Sequence, residues 1–206
     1  MPGHRKLEVL RLLTGKVRAA TRDQLVAADV SWSPAVLAEL VREQLLCETT
    51  LALIVPAVQR KPYAFWRPTQ ETPNFGAISW QGRQRLRNGM TKPTRIYWAT
   101  HRAVRTVGGI GGKLRQPWQL QHDLGVTSVH LLLRRSEPIL AAHWISEDIY
   151  RRDFGRRRKE KIVDAFLVNP MGQVYRVIEF VGDYSTQRLR DFHRFWSRRR
   201  IPYELR

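Results

Sequence analysis

Acidic residues are scarce in this chain: 18 Asp and Glu stand against 36 Lys and Arg, a formal charge of +18 over 206 residues. A surface so one-sided repels itself unless a polyanion lies against it, and nucleic acid is the partner it points to. Cysteine is all but missing. Cys47 is alone, which excludes an intramolecular disulfide and any multi-cysteine zinc site. Long apolar runs are lacking too. The longest, residues 51–57 and 129–133, fall well short of the ~20 residues a bilayer requires, so no membrane is expected as a partner. The opening residues have no apolar secretory core, and the cytoplasm, beside the nucleoid, is the expected location. No Ser-His-Asp or Cys-His arrangement can be assembled. The glycines at 108–112 lack the Gly-Lys-Ser/Thr ending of a phosphate loop, since Lys113 precedes Leu114, and they read as a flexible turn.

What is present is a chain able to fold, with 43% apolar residues and seven tryptophans. Leu7, Val9, Leu10, Leu12, Leu13 and Val17 recur at helical spacing. Thr21-Arg-Asp-Gln24 has the form of a capping box, and Ser33-Pro34 that of a cap followed by proline at the first helical position. Three successive helices are therefore predicted. β-prone sequence follows from residue 45, with residues 63–66 as the returning strand across a turn at 56–62. This is the order of a winged helix-turn-helix, in which the third helix enters a DNA groove and the hairpin tip reaches the backbone. Ser31, Ser33 and Arg42 are the expected contacts of that helix, Glu39 and Glu43 opposing phosphate there. Arg22, Arg60 and Lys61 are expected to supply most of the affinity. A packing or dimerisation module is the alternative.

Residues 71–115, rich in Pro, Gly and Arg, read as a connector with one short helix near 100–107, so that the divisions expected are 1–70, 71–115 and 116–206. Arg and Trp interleave here, either to stack on bases or as buried indoles beside solvated arginines. Beyond it, residues 126–133 suit a strand or a buried helix, and a helix is read from Trp144. Residues 161–181 read as a hairpin turning at Asn169-Pro-Met-Gly172 with one carboxylate per strand, Asp164 and Glu179. A last helix near 185–199 and a closing strand complete an α/β (α+β) chain with a mixed sheet flanked by helices.

The order Thr-Arg-Asp-Gln-Leu, Gln-His122-Asp123-Leu, Trp144-Ile-Ser-Glu147, Val-Asp164-Ala-Phe and Ile-Glu179-Phe-Val-Gly-Asp-Tyr resembles the replication-relaxation proteins of bacterial plasmids and integrated mobile elements. That resemblance implies a winged helix joined to a domain similar to the PD-(D/E)xK restriction-endonuclease fold. It implies a role in plasmid or mobile-element replication, transfer or control. Carried over, Asp164 and Glu179 match the motif acids and Glu147 the acid on the preceding helix. Such carboxylates hold Mg²⁺ through hard oxygen ligands, and the ion polarises phosphate and activates water. The lysine expected two residues after the glutamate is replaced by Val181. Lys159 and Lys161 of the neighbouring strand are the candidate substitutes, although Lys161 is three residues from Asp164 and so points to the opposite strand face.

The expected function is thus that of a DNA-binding accessory protein with a degenerate nuclease-like domain. The alternatives are an active Mg²⁺-dependent nuclease or nickase, or a repressor or adaptor serving a replication, transposition or defence enzyme. Duplex DNA is the expected ligand and RNA the alternative. Arg156, Arg157, Arg158 and Lys159, with Arg194, Arg198 and Arg199 on the last helix, form a second expected phosphate-contacting surface. The carboxylates have two competing readings: a metal site, or structural ion pairs to Arg176, Arg188 or Arg190. His122, Asp123, His143 and Glu147 offer a weaker cluster, set against hydrogen-bonded core histidines.

Overall fold

The computed structural model describes residues 3–29, 31–155 and 163–206. Helices α1 (His4–Arg11), α2 (Arg22–Ala28) and α3 (Pro34–Arg42) appear where the sequence signals place them. A π-helical turn, Leu12–Lys16, extends α1. The capping box closes in both directions: Gln24 N donates to Thr21 Oγ1 at 3.0 Å and Thr21 N to Gln24 Oε1 at 2.9 Å. Ser33 caps α3, with Pro34 at its first position. Val9, Leu13, Leu25, Leu37 and Leu40 interlock around the fully buried Trp32.

This helical cluster is backed by a sheet of β1 (Ala20–Thr21), β4 (Lys92–Ala99) and β2 (Leu46–Leu53), in that order. The partner of β2 corrects the expected hairpin. It is β4, antiparallel from Leu46 opposite Ala99 to Leu53 opposite Lys92. Residues expected to return from β2 instead form β3 (Ala64–Trp66), which pairs with β8 (Tyr203–Leu205) at the edge of a second sheet. The buried indole of Trp66 explains the preference, stacking on Tyr203 at 5.3 Å in that sheet's core.

The stretch expected to be a connector with one short helix has that helix, α5 (His101–Val107), and also contributes α4 (Phe75–Arg87) and β4. Asn74 caps α4, and Phe75, Ile78 and Gly82 are buried. The glycine run is also not a free turn: Ile110 N donates to Thr14 O at 2.7 Å and Gly112 N to Ala99 O at 2.8 Å. Gly109 and Gly112 have φ of 95° and 103°, and a Cβ on either would collide with Thr14 or with the His101 ring.

The second sheet runs β3-β8-β7-β6-β5, with β5 (Trp144–Ser146), β6 (Ala165–Val168) and β7 (Val174–Glu179). β5, β6 and β7 form an antiparallel meander, and β8 returns parallel to β7 after α9 (Thr186–Arg198). Leu189, Phe192 and Trp196 of α9 pack on one face of this sheet beside Val177 and Val181. The other face receives α6 (Pro117–Ser136), a helix, not a strand, over residues 126–133. Gly125 lets it approach, since a Cβ there would meet the Phe180 ring at 2.2 Å. α6 also sends Leu131 into the first cluster. The short α7 (Pro138–Ala142) leads to β5, and α8 begins at Glu147 and ends at Phe154, so Trp144 starts a strand and not a helix. Among the described residues no helix is long and apolar enough to cross a membrane.

Candidate functional site

The β6–β7 hairpin brings Asp164 and Glu179 together. Asn169 fixes the turn, its Oδ1 accepting from Met171 N at 3.0 Å and Gln173 N at 2.9 Å, while Gly172 adopts φ 78°. With Ala165 opposite Ile178, the next pair outward is Asp164 with Glu179. Asp164 N donates to Glu179 Oε2 at 3.3 Å. From α6, His122 Nε2 meets Asp164 Oδ1 at 2.7 Å, and Phe180 N donates to Oδ2 at 2.7 Å. Beyond β7, Tyr184 OH donates to Glu179 Oε1 at 2.7 Å. Ser185 caps α9, setting Arg188 in its first turn, 3.8 Å from Glu179 and 3.5 Å above the Tyr184 ring.

These contacts govern charge. Burial opposes a charged His122, but Asp164 above all, then Glu179 and Asp123, overcome it and raise the imidazole to about 9. His122 is therefore an imidazolium at neutral pH, paired with Asp164. Burial, followed by the neighbouring Asp164 charge, raises the Glu179 carboxyl well above the usual range, against the opposing influences of Tyr184, His122 and Arg188. Burial and the Glu179 charge likewise raise the Tyr184 hydroxyl, so it remains a donor.

Glu147 is engaged elsewhere. Arg18, at the bend before β1, donates to Glu147 Oε2 at 2.6 Å, to Asp123 Oδ1 at 3.0 Å and to both oxygens of Asp148. Arg151 takes Glu147 Oε1. Arg115 stands 3.9 Å from Asp123 and 3.7 Å from Asp148. All six oxygens of Asp164, Glu179 and Glu147 thus accept a hydrogen bond from the protein. The donor chemistry suits Mg²⁺, but the arrangement does not fit it as it stands. Among the described residues no three His, Cys, Asp or Glu side chains are grouped to hold a metal ion. Val181 is fully buried in the core under α9, where a motif lysine would be enclosed by hydrocarbon. Arg188 is the one of the three expected structural partners that reaches the pair; Arg176 bonds Glu204 instead. The His122–Asp123–His143–Glu147 cluster does not assemble, as His143 bonds the Tyr175 hydroxyl.

Around the acids lies a cleft of about 490 Å³, its walls including Arg18, Arg115, Trp118, Gln119, Gln121, His122, Asp183 and Arg188. A small-molecule or single-nucleotide group fits such a volume. The expected nucleic-acid contacts lie away from it. Arg22 opens α2 beside Asp23; Ser31 N is tied to Asp29; Ser33 is the α3 cap and Arg42 its exposed last residue. Glu39 of α3 and Glu43, which caps its C-terminus, are both paired to Lys6 of α1, at 3.0 and 2.5 Å, which reduces their opposition to phosphate. Arg60 and Lys61 do not sit at a hairpin tip: they lead into β3, and Arg60 O accepts from Arg206. Arg194, Arg198 and Arg199 are exposed on or just after α9. Arg156, Arg157, Arg158, Lys159 and Lys161 lie outside the described residues.

Sequence reasoning missed Arg18, because a lone arginine at a bend between two elements carries no periodic or motif signal. It also missed the His122–Asp164 pair, having grouped His122 with His143. Tyr184 was within reach of it, five residues beyond Glu179. Neither a protein-family model, nor a curated protein, nor a solved structure matches the chain.

Proposed function

We propose that this is a DNA-binding accessory protein of plasmid or mobile-element replication, transfer or control. In this reading a winged-helix half grips duplex chiefly through its backbone, and a nuclease-like half has kept its acids as structure. The charge of +18 supports the nucleic-acid ligand. Three helices followed by a two-stranded wing, β2 with β4, support the first half, though the wing is interrupted by residues 54–91. A helix, a three-stranded meander, a second helix and a parallel strand support the second. The observation that carries the accessory role is that each of the six carboxylate oxygens already accepts a hydrogen bond from the protein, with valine buried where the activating lysine belongs.

One feature favours the runner-up, a nuclease: the adjacent acids open onto a cleft with an imidazolium beside them. The discriminating experiment is incubation of supercoiled plasmid with Mg²⁺ or Mn²⁺, alongside Asp164→Ala and a gel shift of the same DNA. The expected outcome is binding by both proteins, steeply weakened by salt, with no cleavage by either. Nicking that vanishes in Asp164→Ala overturns the accessory role. A strong preference for a palindrome with half-sites one helical turn apart would instead mark a dimeric repressor.

A further inference from the structure

We propose that the cleft between α4, α6 and the β7–α9 connection is a binding site for an unpaired nucleotide of single-stranded nucleic acid, with Trp118 as its stacking lid. The proposal rests on the nucleic-acid reading above and names the form of ligand taken at this site. Of the seven tryptophans, Trp32, Trp66, Trp144 and Trp196 are buried core, while Trp80 and Trp118 are 62% and 72% exposed. An exposed indole on a protein that has core positions for four others invites a flat partner. Trp118 lies four residues before His122 on α6, so both occupy one helix face, the indole at the lip of the cleft and the imidazole at its floor. Aromatic faces continue along the floor, where Tyr184 stacks on His122 at an interplanar angle of 18° and Phe180 stands edge-on.

Charge agrees with this occupant. Asp164, Glu179, Asp123 and Glu147 in the cleft each accept from His122, Tyr184 or Arg18, and the one exposed acid of the wall, Asp183, stands 3.8 Å from Arg83. The rim is cationic, with Arg115 and Arg188 in the cleft wall. On α4, Trp80, Arg83 and Arg87 project from one exposed face, and Arg83 reaches Asp183 at the cleft mouth. Phosphates on the rim, a base inward against Trp118, and the Gln119 and Gln121 amides within reach of its edge match the way single strands are held. Duplex cannot use the site without extruding a base from its stack.

The test is fluorescence anisotropy with labelled oligothymidylate, the ribothymidylate of equal length, an abasic oligonucleotide and a hairpin duplex. Wild type is compared with Trp118→Ala and Trp118→Phe. Base stacking contributes ~1–3 kcal/mol, or about 5- to 150-fold. Trp118→Ala should therefore weaken oligothymidylate binding about tenfold and leave the duplex unchanged, Trp118→Phe should restore most of it, and the abasic strand should bind wild type as weakly as the thymidylate binds the alanine variant. Comparable ribothymidylate binding assigns the site to single strands of either sugar, and its loss restricts the site to DNA. Duplex binding intact but thymidylate binding indifferent to Trp118 overturns the inference alone. Failure to bind any of these ligands at low salt overturns the nucleic-acid reading itself.

Discussion

Replacing Arg18 by methionine keeps most of the aliphatic stem and removes the one cation that Asp123, Glu147 and Asp148 share. Deleting one partner of a buried ion pair costs ~3–5 kcal/mol, because the other charge stays behind unpaired. The side chains here are 20% exposed for Arg18 and 4% for Asp123, so solvent gives little relief. The remaining arginines give more: Arg115 stays near Asp123 and Asp148, and Arg151 stays on Glu147. The discounted loss is roughly 2–3 kcal/mol. For a chain of this size each kcal/mol moves Tm by about 2–4 °C, so a fall of roughly 4–12 °C is expected in a thermal melt followed by circular dichroism. Acid should shrink the deficit. Burial already raises the Asp123 carboxyl despite Arg18 and Arg115, and without Arg18 it rises further; the folded variant then binds a proton that the unfolded chain does not, and falling pH favours folding. Asp123→Asn should also rescue part of the loss in a double-mutant cycle. A deficit under ~1 kcal/mol at neutral pH, unchanged in acid, would refute a shared buried cation and leave Arg18 a solvent-screened surface group.

Three further outcomes follow from the same geometry. Val181→Lys should not create a nuclease; an ammonium enclosed between α4 and α9 should cost several kcal/mol, read as a collapse of the urea midpoint, and plasmid nicking by a stably folded Val181→Lys protein would contradict the burial argument. Gly125→Ala should destabilise by ~1–3 kcal/mol, since its methyl meets the Phe180 ring at 2.2 Å, and an unchanged melt would show that α6 can shift away from the sheet. The imidazolium of His122, held at about 9 when folded against ~6.5 unfolded, stabilises fully below the lower value and loses that contribution as pH rises through the higher. His122→Gln should flatten this part of the pH–stability curve, and an imidazole resonance in wild type titrating near its unfolded value would exclude the Asp164 ion pair.

The features legible in the sequence were those coded locally. Thr21 and Gln24 cap each other three residues apart, Ser33-Pro34 starts α3, and Asn169–Gly172 forces a tight return that leaves Asp164 opposite Glu179. α9 is readable because Leu189, Phe192 and Trp196 keep helical spacing over about two turns. What failed was pairing across distance. Residues 63–66 have ordinary strand composition, and nothing local says that they serve β8, which begins 137 residues after β3 ends at Trp66, while β2 waits for β4. The arginine-rich stretch at 83–87 looked like linker because its polar face dominates the composition, yet Phe75, Ile78 and Gly82 form a buried stripe beneath it. At the site, the two acids were found from their strands, whereas Arg18, Tyr184 and the turn of His122 toward Asp164 depend on how α6 crosses the sheet.

The threading of β2, β3 and β4 through two sheets also bears on how the chain leaves the ribosome. When β2 has been synthesised its hydrogen-bonding partner is still 38 residues away, and β3, made in between, must wait for the final strand of the chain. The first sheet can close once β4 is made, while β3 stays unpaired until β8, and contacts of such long sequence separation slow folding. A break anywhere in residues 54–63 strands β2 without β4, and one in residues 67–91 also takes β3 from β8. The two halves are accordingly expected to melt in a single cooperative transition. Nascent chains stalled within this region are expected to display an unpaired strand edge, the kind of surface that chaperones cover.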